Sequence, residues 1–463
     1  MAVPVIRSRE IAEGTPAGQG EPAEGDDRGF SLAKPSAGRQ TDWKSGDYHF
    51  RMSPLHRLAV SFVVVSCVAG ADWPQFRGPT QMGVSPSTKL PTTWDRTTNV
   101  SWQVPVPGKG WSSPVVANGT IVLTTAVEEG KVVSLRVLAF RSSDGQPLWD
   151  REIDKRPAAD LPKNHPKNSY ASPTCVIDGG KAYAHFGHIG TARLSLADGA
   201  IDWVNRELAY KPVHGNGGSP VVVDGKVIFA IDGADRQEVV ALNANDGKVA
   251  WRTPRNTKPG RPFSFGTPTV VKLFDKSQLI IPGSDVVMAL DPATGTEYWR
   301  FAYTGYSVVP RPVVADGLVY LATGYDSPKL LAVKPTPEGG TLPPSALAWK
   351  ADKGAPLNPS MVTVGGLLFA VSDAGIANCW DAKTGEVKWS ERVPDKYSSS
   401  ILLANGLLYL TSETGTTTVL KAGPTFETVA TNKLDEKMLS SIGVDGDALL
   451  VRTETTLFKI AGK

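Results

Sequence analysis

The chain has 463 residues, room for two or three ordinary domains or one large repeat domain. With 41% hydrophobic and 21% charged residues it has the composition of a soluble globular protein, and 46 Gly with 36 Pro favour short strands and turns over long helices. A net charge of only +3 excludes the basic stripe of a nucleic-acid binder.

Residues 1–51 are polar and poor in aliphatics, and are expected to be a disordered or mis-assigned extension with Met52 as the true start. Residues 52–71 read as a secretory signal: Arg51, His56 and Arg57 flank the apolar run Leu58–Val65, and Ala69 and Ala71 occupy the small positions of a cleavage site. The run is too short to span a bilayer in the ordinary way. Val64-Val65-Ser66-Cys67 also resembles a bacterial lipobox, which would make Cys67 a lipid anchor and the membrane a partner by that route. Either processing exports the protein to the periplasm or beyond the cell. Cys175 and Cys379 fall on apolar strands of different repeats and are expected as buried small hydrophobes, not a disulfide.

After a lead-in segment, 72–98, the chain repeats itself. Trp102, Trp149, Trp203, Trp251, Trp299, Trp349 and Trp389 recur 40 to 54 residues apart. Each interval opens on a Ser/Thr-Pro or similar step and a β-branched run, as in "GGSPVVVDG". A tight turn often follows (Asn118-Gly119, Asp224-Gly225, Asp316-Gly317, Gly365-Gly366, Asn405-Gly406), then two more strands. An Asp-Gly or Thr-Gly turn leads into the Trp-bearing fourth strand, as in "ALNANDGKVAW". Four short antiparallel strands per repeat predict a β-propeller blade, with the Trp packed structurally between neighbouring blades.

A seventh fourth strand, "FETVATNKL", puts Phe426 in the Trp position. Only three strands follow it: "LSSIGVDG", "DALLVRTE" and "TTLFKIAGK". The missing one is "NVSWQVPV", 99–106, with Trp102 in the motif position. The expectation is therefore an all-β, eight-bladed propeller over 99–463, closed when this N-terminal strand completes the C-terminal blade, which removes the exposed edges.

"ALDPATGTEYW" and "CWDAKTGEVKW" resemble the tryptophan-docking motif of the pyrroloquinoline-quinone (PQQ) propellers, a superfamily of quinoprotein alcohol dehydrogenases that also holds the propeller lipoprotein of the outer-membrane barrel-assembly machinery. "DWPQFRGP", 72–79, resembles the start of exported members, and the likeness runs over 72–463. The dehydrogenase members imply PQQ with Ca²⁺, but their adjacent Cys-Cys pair has no counterpart here, and neither a calcium-binding carboxylate with its Asn partner nor a catalytic Asp falls on a matching motif. The resemblance therefore implies the fold and leaves activity open. A non-catalytic, monomeric binding or scaffold module is expected, taking a protein partner, a small molecule or a glycan. The alternatives are a PQQ/Ca²⁺ oxidoreductase and a carbohydrate-binding or carbohydrate-active propeller.

Function is expected on the face that carries the longer, varied loops and crossovers. A ring at the channel mouth is predicted from Trp111, Tyr170, Asn216, Phe265, Arg311, Asn358 and Tyr397. Beyond residue 71 there are four histidines, all on this face: His165, His185, His188 and His214. The pair His185 and His188, with His214 or His165 as a third ligand, has a metal-compatible spacing; with no partner carboxylate, loop hydrogen bonding is the ordinary reading and no metal is assigned. No P-loop, dinucleotide-binding glycine pattern or nucleophile elbow occurs.

Overall fold

Short strands joined by tight turns cannot bury an apolar face alone. In the computed structural model, which describes residues 72–462, they do so by stacking as eight four-stranded antiparallel sheets, two of them extended by a short fifth strand. The export segment 52–71 with Cys67, and the extension before it, lie outside the described residues. Blade one comprises Val115–Ala117, Thr120–Glu129, Val132–Arg141 and Pro147–Pro157, in that order from the axis outward. Blades two to seven open with the inner strands Val176–Asp178, Val221–Val223, Thr269–Leu273, Val313–Ala315, Val362–Val364 and Leu402–Ala404. Blade eight takes Gly443–Asp445, Ala448–Arg452 and Thr456–Ala461 from the C-terminal end and its outer strand, Val100–Pro105, from the N-terminal end, with Trp102 opposite Lys459. The ring closes as expected. The only helical pieces among the described residues are three short 3-10 turns, and none is long and apolar enough to cross a membrane.

The docking tryptophans link each blade to the next. Trp149 donates its indole N–H to the Leu196 carbonyl at 3.0 Å, and Trp102, Trp203, Trp251, Trp349 and Trp389 make the same bond to Ser142, Ala244, Pro292, Ala382 and Gly423. Five of these rings also lie on the glycine of the following blade's third turn. Gly199, for example, has φ 72°, and a Cβ there would sit 2.6 Å from the Trp149 ring. The repeated glycine thus serves its own turn and its neighbour's Trp at once. Cys175 and Cys379 are free and buried in separate cores, where burial pushes both thiols up to about 12.

Two positions depart from the pattern. Trp299 donates to Gln278 of its own blade, and an insertion between the third and fourth strands of blade five lays Gly340–Thr341 as a parallel fifth strand against Trp299 and Arg300. In blade seven the residue in the Trp position is Ala430, paired with Val419 beside the same bulge. Phe426, expected there, instead packs edge-on against Trp389 at 5.3 Å, where other blades place the glycine. The apolar volume left by Ala430 is taken by Trp94 of the lead-in, stacked 6.4 Å from Tyr409 in the same core.

The lead-in is a plug threaded along the inside of the ring. Trp73 bridges Val116 of blade one, and the Pro74 carbonyl accepts the Ile177 N–H of blade two. Gln81 Oε1 accepts from Val270 N–H of blade four and from Arg311 of blade five. Arg77 donates to carbonyls of blade six at Ser360 and Met361. Val84–Ser85 then pairs in parallel with Leu403 and Ala404 of blade seven.

Candidate functional site: the axial cavity

An extended chain presents alternate residues to one side. In the crossovers, the residues four and two places before each inner strand face the axis, and together they form two tiers. The upper tier is Trp111, Ser172, Gly217, Phe265, Val309, Asn358, Ser398 and Leu439, and all eight line one cavity of about 770 Å³. Phe76 of the plug also lines it. Of the predicted ring, Trp111, Phe265 and Asn358 therefore reach the cavity, and the other four do not line it. Asn216 and Tyr397 sit one residue out of register and turn into the blades, both buried. Asn216 hydrogen-bonds Tyr210 and the Phe186 carbonyl. Tyr170 lies two places too early and donates its hydroxyl to the Pro162 carbonyl. Arg311 is fully buried, its guanidinium directed to the Phe76 carbonyl, Gln81 and Thr269.

The lower tier is Ser113, Thr174, Ser219, Thr267, Arg311, Ser360, Ser400 and Ser441, so seven of its eight members are hydroxyls, and all seven line the cavity. They form a belt in which each blade's backbone N–H donates to the next blade's hydroxyl at 2.9–3.0 Å, from Ser113 to Thr174 and on to the closing bond from Ser441 to Ser113. Arg311 breaks the belt between blades four and five. Sequence reasoning missed this tier; aligning the repeats on the position two residues before each inner strand, which directly precedes Pro in blades one, three, four and five, would have shown it.

The walls differ in character. On the side of blades two to five, His165, His214, Phe263 and Tyr306 form a chain of edge-to-face rings at 5.7, 5.3 and 5.5 Å, with Phe265 6.1 Å from Phe263. Arg261 lies 4.6 Å over the Tyr306 ring. On the side of blades six and seven the wall is polar. Asp373 accepts the backbone N–H groups of Leu357 and Asn358 at 2.8 and 3.0 Å, together with the Asn358 amide. Lys167, from the crossover into blade two, reaches across the mouth to Glu413 at 2.6 Å and Asp373 at 3.8 Å. A strap therefore crosses the opening above the aromatic and polar walls.

The histidines separate into two pairs. His165 and His214 line the cavity. His185 is buried, bonded through Nδ1 to Thr191 at 2.8 Å, and burial followed by the proximity of His188 pushes its pKa down to about 3. His188 bonds Asn216 at 3.2 Å. Among the described residues no group of three or more His, Cys, Asp or Glu could hold a metal ion.

A family profile described as outer membrane protein assembly factor BamB matches residues 84–236, 235–336 and 343–423. The chain belongs to this PQQ-repeat propeller family. Among solved structures, it is similar to BamB from Moraxella catarrhalis, with TM-score 0.55 at 14% identity over 79% of this chain and 97% of that one. A europium-containing methanol dehydrogenase gives TM-score 0.61 at 13% identity over 82% and 89%. Quinohemoprotein alcohol dehydrogenase from Comamonas testosteroni gives 0.58 at 13% over 85% and 81%. No curated protein sequence matches. At these identities the structural likeness establishes the PQQ-repeat fold and no activity.

The donor set of the cavity can be tested directly against the calcium and quinone of the dehydrogenase members. Among the described residues its one lining carboxylate is Asp373, whose oxygens already accept three hydrogen bonds. A calcium ion takes six to eight oxygen ligands, and a single carboxylate already committed to the Leu357 and Asn358 N–H groups and the Asn358 amide does not supply that set. The two described cysteines stand in different cores and cannot form a stacking pair.

Proposed function

We propose that this chain is an exported, non-catalytic binding module of the PQQ-repeat family that holds a small-molecule ligand in its axial cavity. The observation that carries this reading is the cavity itself: about 770 Å³, floored by Phe76, walled by aromatic rings on one side and polar groups on the other. That is the size and lining of a ligand site set on rigid elements. Among the described residues no lining hydroxyl is hydrogen-bonded to a histidine, and His165 Nδ1 instead accepts the Lys167 N–H. Export rests on 52–71, and the BamB description of the family supports a place outside the cytoplasm.

The test is to incubate the full chain with PQQ and Ca²⁺, pass it through gel filtration, and assay dye-linked alcohol oxidation. The expected result is no quinone absorbance in the protein peak and no turnover. In parallel, a thermal-shift screen of small organic compounds should yield ligands that stabilise the wild type and fail to stabilise Phe263→Ala. Retained quinone with alcohol oxidation would establish the oxidoreductase instead.

A further inference from the structure

The hydroxyl belt carries more than structure. Each of its seven hydroxyls accepts a backbone N–H, which engages a lone pair, and none donates its own proton to an acceptor among the described residues. All seven are more than nine-tenths buried and line the cavity. They therefore present a convergent ring of O–H donors with no carboxylate among them. Where Arg311 interrupts the belt, the Thr267 N–H has no hydroxyl to donate to and adds a further donor. Behind this gap lie two guanidinium groups, Arg311 and Arg77, held by carbonyls, Gln81 and Thr269, with no acidic partner among the described residues. Elsewhere the buried Arg255 meets Asp232 through two bonds at 2.7 and 2.8 Å, whereas the buried Arg452 of blade eight is held by Ser112 and the Thr124 carbonyl alone, so what sets Arg311 and Arg77 apart is that two such groups lie together behind the gap. Two uncompensated cations in a low-dielectric interior favour a negative charge nearby.

We propose that the break in the belt, at Thr267 and Ser360 in front of Arg311, is an oxyanion seat. It takes the carboxylate, sulfonate or phosphate end of a ligand whose apolar body lies against Phe263 and Phe265. The proposal rests on the cavity being a ligand site and adds the charge class of the ligand and the residues that read it.

Calorimetry on the full chain with 2-naphthoate and its neutral counterpart 2-naphthamide tests it. Naphthoate should bind roughly tenfold more tightly, as hydrogen bonds to a charged group require. Thr267→Val should remove most of that preference and leave naphthamide unchanged, while Thr267→Ser, which keeps the O–H, should retain it. Should Thr267→Val fail to fold, Ser360→Ala gives the same reading. Lys421→Ala, at the exposed Lys421–Glu427 pair of blade seven and away from the cavity, should alter neither affinity. Equal affinity for the two probes would mean a seat for water alone and would overturn the proposal while leaving the pocket intact. A preference abolished by Arg261→Gln and untouched by Thr267→Val would move the anion to the rim and overturn it also. Failure of both probes to bind would overturn the pocket together with the seat.

Discussion

At the residue scale, His185 couples the fold to pH. Its ring packs 4.1 Å from Phe229 and is held by Thr191, and burial keeps it neutral with a pKa of about 3. The unfolded chain, with an ordinary histidine near 6.5, binds a proton that the folded chain refuses. Between those values the unfolded state holds more protons, so stability is fully present above about pH 6.5 and falls on acidification, by up to about 1.4 kcal/mol per pH unit for one group. His188 and His165 are shifted the same way, chiefly by burial. Melting curves should therefore show a steady loss between pH 6.5 and 4.5, amounting to roughly 2.5 kcal/mol from His185. In His185→Gln the slope should be visibly shallower, even though the variant begins less stable. An identical slope in the variant would show that His185 does not contribute.

At the element scale, neighbouring blades are joined by the hydroxyl belt near the axis and, except from blade seven, by a docking Trp at the rim. Both links fail at one seam, between blades four and five. Arg311 replaces the belt hydroxyl, and Trp299 turns to its own Gln278. The plug compensates, since Gln81 accepts from Val270 on one side and Arg311 on the other. Gln81→Ala strips both donors of their acceptor, a buried loss worth about 1–3 kcal/mol each. Hydrogen exchange of that variant should show lost protection in Thr269–Leu273 and Val313–Ala315, with Val221–Val223 unchanged. Uniform loss over all inner strands, or none, would contradict this role for the plug.

For the whole molecule, closure depends on two separate pieces of the N-terminal region, and truncation can tell them apart. A chain starting at residue 97 loses the plug but keeps Val100–Pro105, the outer strand of blade eight. It should fold, with a lower melting temperature and a channel open at both ends. A chain starting at residue 108 also loses that strand and Trp102, leaving Thr456–Ala461 with an unpaired edge. Removing a large packed aromatic costs on the order of 3–5 kcal/mol, and the lost ladder adds to it. Against a native stability of about 5–15 kcal/mol, this second chain should aggregate or unfold without a sharp transition. Cooperative melting at the wild-type temperature in the shorter chain would refute closure by the N-terminal strand.

The repeat, the blade number and the closing strand were legible in the sequence because each rests on local chemistry written eight times over. Positive-φ turn pairs such as Asn118-Gly119, alternating apolar strands and the Gly-to-Trp spacing all act within one hairpin or between adjacent blades. The cavity was legible only in outline. Trp111, Phe265 and Asn358 reach the cavity from the crossovers, but side-chain direction there alternates with each residue, so a slip of one turned Asn216 and Tyr397 into the blades. Substitution of Ala430 for a docking Trp, and its rescue by Trp94, joins positions more than three hundred residues apart. The course of the plug and the pairing of Arg77, Gln81 and Arg311 are of the same kind. Such contacts carry no periodic signal. They exist only because the closed ring brings its own lead-in onto the axis, and tertiary packing alone decides what that axis holds.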